Sequence, residues 1–148
     1  MTTELNVKDL GRHVRERFPE AVLDYSDNAL VVASETLADV ARHCHDDPEL
    51  AFDFLVGVTG IDYIDHFEVV YHLLSIKRNH SVVLKTRTFS RESPSVPSVT
   101  GIWHGALLQE REVYDLMGIA FEGHPDLKRI LLWEGFPGHP HRKDFTGA

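Results

Sequence analysis

In FEVVYHLLSIKRNHSVVLKTRTF, residues 67–89, two runs alternate from side to side, and a polar stretch separates them. Phe67, Val69, Tyr71 and Leu73 fall on one face of the first run, against Glu68, Val70, His72 and Leu74 on the other. A period of two is that of a β-strand. Ser81 to Phe89 alternates more cleanly and places Lys85 and Arg87 on an expected solvent face. The linker Lys77-Arg78-Asn79-His80 is short enough for a hairpin. Upstream, residues 53–61 (DFLVGVTGI) form a further apolar run, in which Gly57 and Gly60 suggest a bulge or a close backbone approach. The centre of the chain is therefore expected to be a meander of long antiparallel strands.

Toward the N-terminus, Asn6 and Asp9 resemble a capped helix start, and Val7, Leu10, Val14 and Phe18 recur at helical spacing until Pro19. Short β-prone runs at Ala21–Tyr25 and Ala29–Ala33 flank Ser26-Asp27-Asn28, which reads as a hairpin turn. A second helix is expected to start after Ser34 or Thr36, to turn Leu37, Val40, Ala41 and Cys44 inward, and to end near Asp46-Asp47-Pro48. Arg91 to Ser98, rich in serine and proline, reads as a loop. The predicted fold class is α+β, an antiparallel or mixed sheet with helices on one face. Residues 1–120 form that domain. Residues 121–148 are expected to be an extended C-terminal arm of it, because Gly123, Pro125, Gly135, Pro137, Gly138 and Pro140 break any periodicity.

Composition narrows the function classes. With 148 residues, 43% of them hydrophobic and 26% charged, the chain has the balance of one ordinary globular domain. No apolar run approaches the roughly 20 residues that span a bilayer, and the charged N-terminus lacks an apolar signal core, so a cytoplasmic address is expected. A net charge of −8 argues against sequence-independent nucleic-acid binding. The single cysteine, Cys44, rules out an internal disulfide and a cluster held by four thiolates of this chain.

Beyond the loop, residues 106–117 (ALLQEREVYDLM) read as a helix that Gly118 can end in a left-handed cap. Glu110 is in register with Ala106, Val113 and Met117, so its carboxylate points toward protein and needs a partner there. Arg111, Glu112 and Asp115 lie close together on another side. Glu110 and Glu112 point about 200° apart and cannot share a substrate, and no serine or cysteine nucleophile stands in a recognisable elbow. His43-Cys44-His45 diverges in the same way. His139-x-His141 could place two rings on one side, which leaves a tail metal site as an alternative. His124 in Gly-His-Pro-Asp is better suited to bonding turn backbone. Arg111, Arg129 and Arg142 each offer a planar fork of donors that fits a carboxylate or two carbonyls.

Glu110-Arg111-Glu112 with Asp115, the block Gly118 to Ile130 (GIAFEGHPDLKRI), and Arg142-Lys143-Asp144-Phe145 together resemble the signature of the 30 kDa subunit family of respiratory complex I, NADH:quinone oxidoreductase. Pro97-Ser98-Val99-Thr100 and Trp103 also look like that family. Leu108, where an aromatic is usual, and His141, where leucine is usual, depart from it. The resemblance implies a hydrophilic, non-catalytic subunit of the peripheral arm of a proton-pumping complex. It would carry no cofactor or metal, lie on the cytoplasmic side of the cell membrane, and reach that membrane only through the complex. Its chief partner would be the quinone-site, hydrogenase-large-subunit-like chain. Glu110, Arg111, Glu112 and Asp115 would anchor the helix, while His124, Asp126, Arg129, Arg142, Lys143 and Asp144 would hold the arm against that partner. The same fold serves membrane-bound hydrogenase and F420 dehydrogenase complexes, which remain alternatives, as does a soluble metal-binding or hydrolytic protein using the tail histidines. The end soon after Phe145 suggests a compact, stand-alone form.

Overall fold

The computed structural model describes residues 2–146. Its elements are β1 (Thr3–Glu4), α1 (Val7–Arg17), β2 (Val22–Ser26), β3 (Ala29–Val32), α2 (Leu37–Asp46), β4 (Phe54–Asp62), β5 (Phe67–Ser75), β6 (His80–Thr88), β7 (Ser95–Pro97), α3 (Ala106–Met117) and β8 (Ala120–Glu122), with a 3-10 turn over Ser34–Thr36 leading into α2. Asn6 caps α1, its side chain accepting from Lys8 N at 2.9 Å. Asp27 and Asn28 both take positive φ, the two-residue turn that a right-twisted hairpin favours. No helix among the described residues is long and apolar enough to cross a membrane.

The meander is as expected: β4–β5 and β5–β6 pair antiparallel, with nine register partners from Phe67↔Thr88 to Ser75↔His80 in the second pair. The N-terminal hairpin joins by parallel pairing of β3 with β6, giving the order β2-β3-β6-β5-β4, and β1 pairs with β6 in parallel at His80 and Ser81. The sheet is therefore mixed. Leu30, Leu84 and Tyr71 stand opposite one another across three strands, and all belong to the buried cluster that takes in Leu10, Val14, Leu37, Val40, Val113 and Met117 from the three helices. The helices thus share one face of the sheet. α3 lies over β4, where the missing side chain of Gly60 admits it. A Cβ at Gly60 would stand 2.9 Å from Val113.

Three expectations need correcting. Lys85 is buried rather than solvated: its ammonium lies 3.4 Å from both Glu68 and Asp27, and Arg87 Nε donates to Glu68 at 3.1 Å. Glu68, itself 2% exposed, draws both cations down onto the open face of the sheet. The loop from Arg91 to Ser98 contains β7, which pairs in parallel with β8. So short a strand leaves too few residues for a pattern of period two to register. Finally, the tail does not stand off as an extended arm. From Gly123 to Thr146 it has no regular element, yet its backbone is bonded to its own domain, as the geometry around α3 makes plain.

Candidate docking site

Gly118, at φ +76°, ends α3 in the expected left-handed cap and its N–H returns to Tyr114 O. The next three carbonyls of the helix have no intrahelical donor, the usual fate of a C-terminus. The tail supplies all three. His139 Nδ1 lies 2.9 Å from Asp115 O, His141 N donates to Leu116 O at 2.9 Å, and Arg142 Nε donates to Met117 O at 2.7 Å.

The side chains of α3 hold an earlier part of the tail. Arg111 uses its fork on two carbonyls, Lys128 O at 3.0 Å and Arg129 O at 2.9 Å. Asp115, fully buried, accepts at Oδ2 from the backbone N–H groups of Ile130, Leu131 and Leu132 at 3.2, 2.7 and 2.9 Å, and Arg129 Nε lies 3.5 Å from Oδ1. Burial pushes the Asp115 carboxyl up, but the three N–H groups and Arg129 together outweigh it and hold the group below the usual carboxylate range. Arg111 and Asp115, grouped by their spacing, do not pair with each other; each reaches past the helix to the tail.

Glu110 points inward as its register requires. It accepts from Ser98 Oγ at 2.6 Å and Val99 N at 2.8 Å, tying α3 to the segment after β7. Its carboxyl is raised above the usual range by burial, which those two bonds only partly offset. Glu112 is exposed and makes no hydrogen bond or ion pair among the described residues. His124 bonds turn backbone as expected: Nδ1 accepts from Asp126 N at 2.9 Å, so Nε2 carries the proton and faces Leu107 O at 2.8 Å. Asp126 is exposed, 3.6 Å from Lys128 Nζ. With His124 and His139 engaged on backbone and His141 exposed, the tail histidines do not converge.

Sequence reasoning missed a second fastening. Asp62, at the end of β4, takes Arg91 in a two-pronged pair at 2.8 and 2.9 Å and also accepts from Lys143 N at 2.8 Å. Hydrogen bonding from Arg91 holds the Asp62 carboxyl well below its usual range, against the opposing effect of burial. Arg91 reaches on to Asp144 at 3.0 Å, and Arg142 Nη2 donates back to Arg91 O at 3.0 Å. Both guanidiniums lie over the Phe67 ring, at 4.6 and 4.9 Å from its centre. Arg-Lys-Asp near the C-terminus was visible as a charge cluster. Its partners 53 and 81 residues away were not.

What this clamped strip presents is apolar. Leu131 is 60% exposed and Trp133 64% exposed, although the N–H of Leu131 is fixed on Asp115. On α3 itself Leu108 is 52% exposed. Rigid backbone carrying outward apolar and aromatic side chains is the make-up of a protein-binding surface.

Comparison with known proteins bears on the same segments. An NADH-quinone oxidoreductase subunit of Roseiflexus sp. (strain RS-1) is 46% identical over 138 residues, covering 88% of this chain and 79% of that protein. Its counterpart from Roseiflexus castenholzii is 48% identical over 133 residues, 85% of this chain and 76% of the relative. That from Azorhizobium caulinodans is 47% identical over 146 residues, 94% and 68%. Among solved structures, a chain of the membrane-bound sulfane sulfur reductase, an archaeal respiratory membrane complex, superposes with a TM-score of 0.76 over 95% of this chain and 86% of that one. At 24% identity this likeness shows the shared fold. The pattern of the family described as Respiratory-chain NADH dehydrogenase, 30 Kd subunit, matches residues 30–148, from the second strand of the N-terminal hairpin through α3 and the whole tail, and the chain belongs to that family.

Proposed function

We propose that this chain is a non-catalytic hydrophilic subunit of the peripheral arm of a proton-pumping NADH:quinone oxidoreductase, on the cytoplasmic side of the membrane, and that it docks on the quinone-site subunit through α3 and the tail. The observation that carries the reading is the pair Leu131 and Trp133, held outward on backbone that Asp115 and Arg111 immobilise. The charged and histidine positions of the signature then divide into two groups. Glu110, Arg111, Asp115, His124, Arg129 and Arg142 shape the surface from within, and Glu112, Asp126, Lys143 and Asp144 lie on it. A strip already ordered before contact loses little further entropy on binding.

No electron passes through this chain in this reading. Its one thiol, Cys44, is fully buried and burial pushes it up to about 12, so at neutral pH it stays protonated and is a poor nucleophile. The names of the relatives, at 46–48% identity, favour the NADH-linked complex over hydrogenase or F420 assemblies. The test is Leu131→Asp and Trp133→Asp in the native complex. Copurification with the neighbouring subunits and NADH:quinone activity of membranes are expected to fall severalfold, while the melting temperature of the isolated chain stays near that of wild type. Normal assembly of both variants would sink the reading.

A further inference from the structure

Away from α3 and the tail, α1 and α2 bring two imidazoles together. His13 of α1 and His43 in the last turn of α2 face each other, with His13 Nδ1 3.1 Å from His43 Nε2. Asp47, the residue that follows α2, completes a group in which one ligating atom from each of the three residues lies within 4.8 Å of the others. We propose that His13, His43 and Asp47 bind a divalent transition-metal ion of the zinc type, which clips α1 to α2.

The spacing argues for an ion. Two nitrogens bound tetrahedrally at zinc distances stand about 3.3 Å apart, close to the separation of the two rings here. Whichever ring donates, a single proton sits between two lone pairs, and a metal ion can replace it. Asp47 is already oriented: its Oδ1 accepts from Glu49 N at 2.9 Å and Leu50 N at 3.4 Å, which leaves Oδ2 turned toward His13. The remaining His13 nitrogen, Nε2, reaches carboxylates only at 3.7 Å (Asp47) and 3.9 Å (Glu49), too far for a hydrogen bond. With the His13 side chain 28% exposed, that nitrogen faces solvent and is open to a further partner. With Asp47 drawn onto the ion, Glu49 is placed to take the Nε2 proton, the outer carboxylate that a ligating histidine usually has.

Charge and access agree. Asp46, Asp47 and Glu49 outnumber Arg17 around the rings. A cleft of about 590 Å³, in which His43, Asp39, Asp46 and Asp47 share the wall with Arg17 and Arg42, gives an ion its entry and leaves room for a water as further ligand. Two imidazoles with one carboxylate suit zinc, nickel or copper and not magnesium or calcium.

The test uses the tag-free full-length chain, stripped with chelator and titrated with zinc chloride by calorimetry, with melting curves in parallel. One ion per chain is expected, with a melting temperature that climbs with zinc. His13→Gln and His43→Gln should each weaken binding about tenfold or more, the loss expected when a zinc site is disturbed, and the tail variant His141→Gln should not. In the wild-type chain, zinc should shift the ring-nitrogen NMR signals of His13 and His43, which decides the matter even if a variant folds poorly. No saturable binding, undiminished affinity in the His13→Gln and His43→Gln variants, or unmoved His13 and His43 signals would each overturn the proposal.

Discussion

Two carboxylates on one helix, Glu110 and Asp115, are displaced in opposite senses by what surrounds them. Glu110 has its burial only partly relieved, by one hydroxyl and one N–H, so its folded value lies above the unfolded one. Such a group favours the folded state when protonated, and stability falls as pH rises from the unfolded value, about 4.3, through the folded one. Asp115 and Asp62 are displaced downward. Their contribution is complete above the unfolded value, about 3.9, and is lost as pH falls through the folded one. Urea unfolding over a pH series separates the two effects. Relative to wild type, Glu110→Gln is expected to lose ground on going from neutral pH down toward about 4, because only wild type gains a proton there. Asp115→Asn is expected to regain ground below about pH 4. A pH-independent gap between wild type and Glu110→Gln would show the carboxyl to be ordinary. Glu110→Ala should cost about 1–3 kcal/mol at any of these pH values, since Val99 N and Ser98 Oγ lose their acceptor inside the protein.

At the scale of elements, the joint between α3 and the tail decides behaviour. Gly118 has a positive φ that costs a side-chain-bearing residue about 1–2 kcal/mol. A Cβ there would also stand 2.7 Å from the His139 ring, which bonds Asp115 O. Gly118→Ala is therefore expected to lose at least that much stability in urea titration and to expose the His141 amide to hydrogen exchange; protection equal to wild type would contradict the joint. Arg142→Ala strips Met117 O of its charged donor and should cost about 1.5–3 kcal/mol. The edge of the sheet is managed by the same helix. Gln109 Oε1 accepts from Val58 N at 2.8 Å on the otherwise open side of β4, which blunts an edge that could pair with another chain.

For the whole molecule, the docking proposed above gives Arg111→Ala its expected outcome. Loss of the fork on Lys128 O and Arg129 O loosens the strip that carries Leu131 and Trp133, so assembly of the complex should weaken more than the melting temperature of the free chain. Pull-down beside thermal melts checks it, and a large fall in melting temperature with normal assembly would reverse the argument. Much of this design was legible in the sequence. Period two between residues 53 and 89 gave the meander, period 3.6 gave the inward Glu110, and the shape of arginine gave a fork for two carbonyls. The parallel docking of β3 on β6, the short β7–β8 pair and the Asp62–Arg91 fastening were hidden. Each joins segments far apart in the chain, and a pattern within one segment does not say which distant segment it meets. The bond between Lys143 and Asp62 encloses 81 positions of chain, and closing so wide a loop is entropically dearer than closing any hairpin in the sheet. The end of the tail is therefore expected to open ahead of the sheet, the Lys143 amide losing protection from hydrogen exchange before the amides shared by β5 and β6.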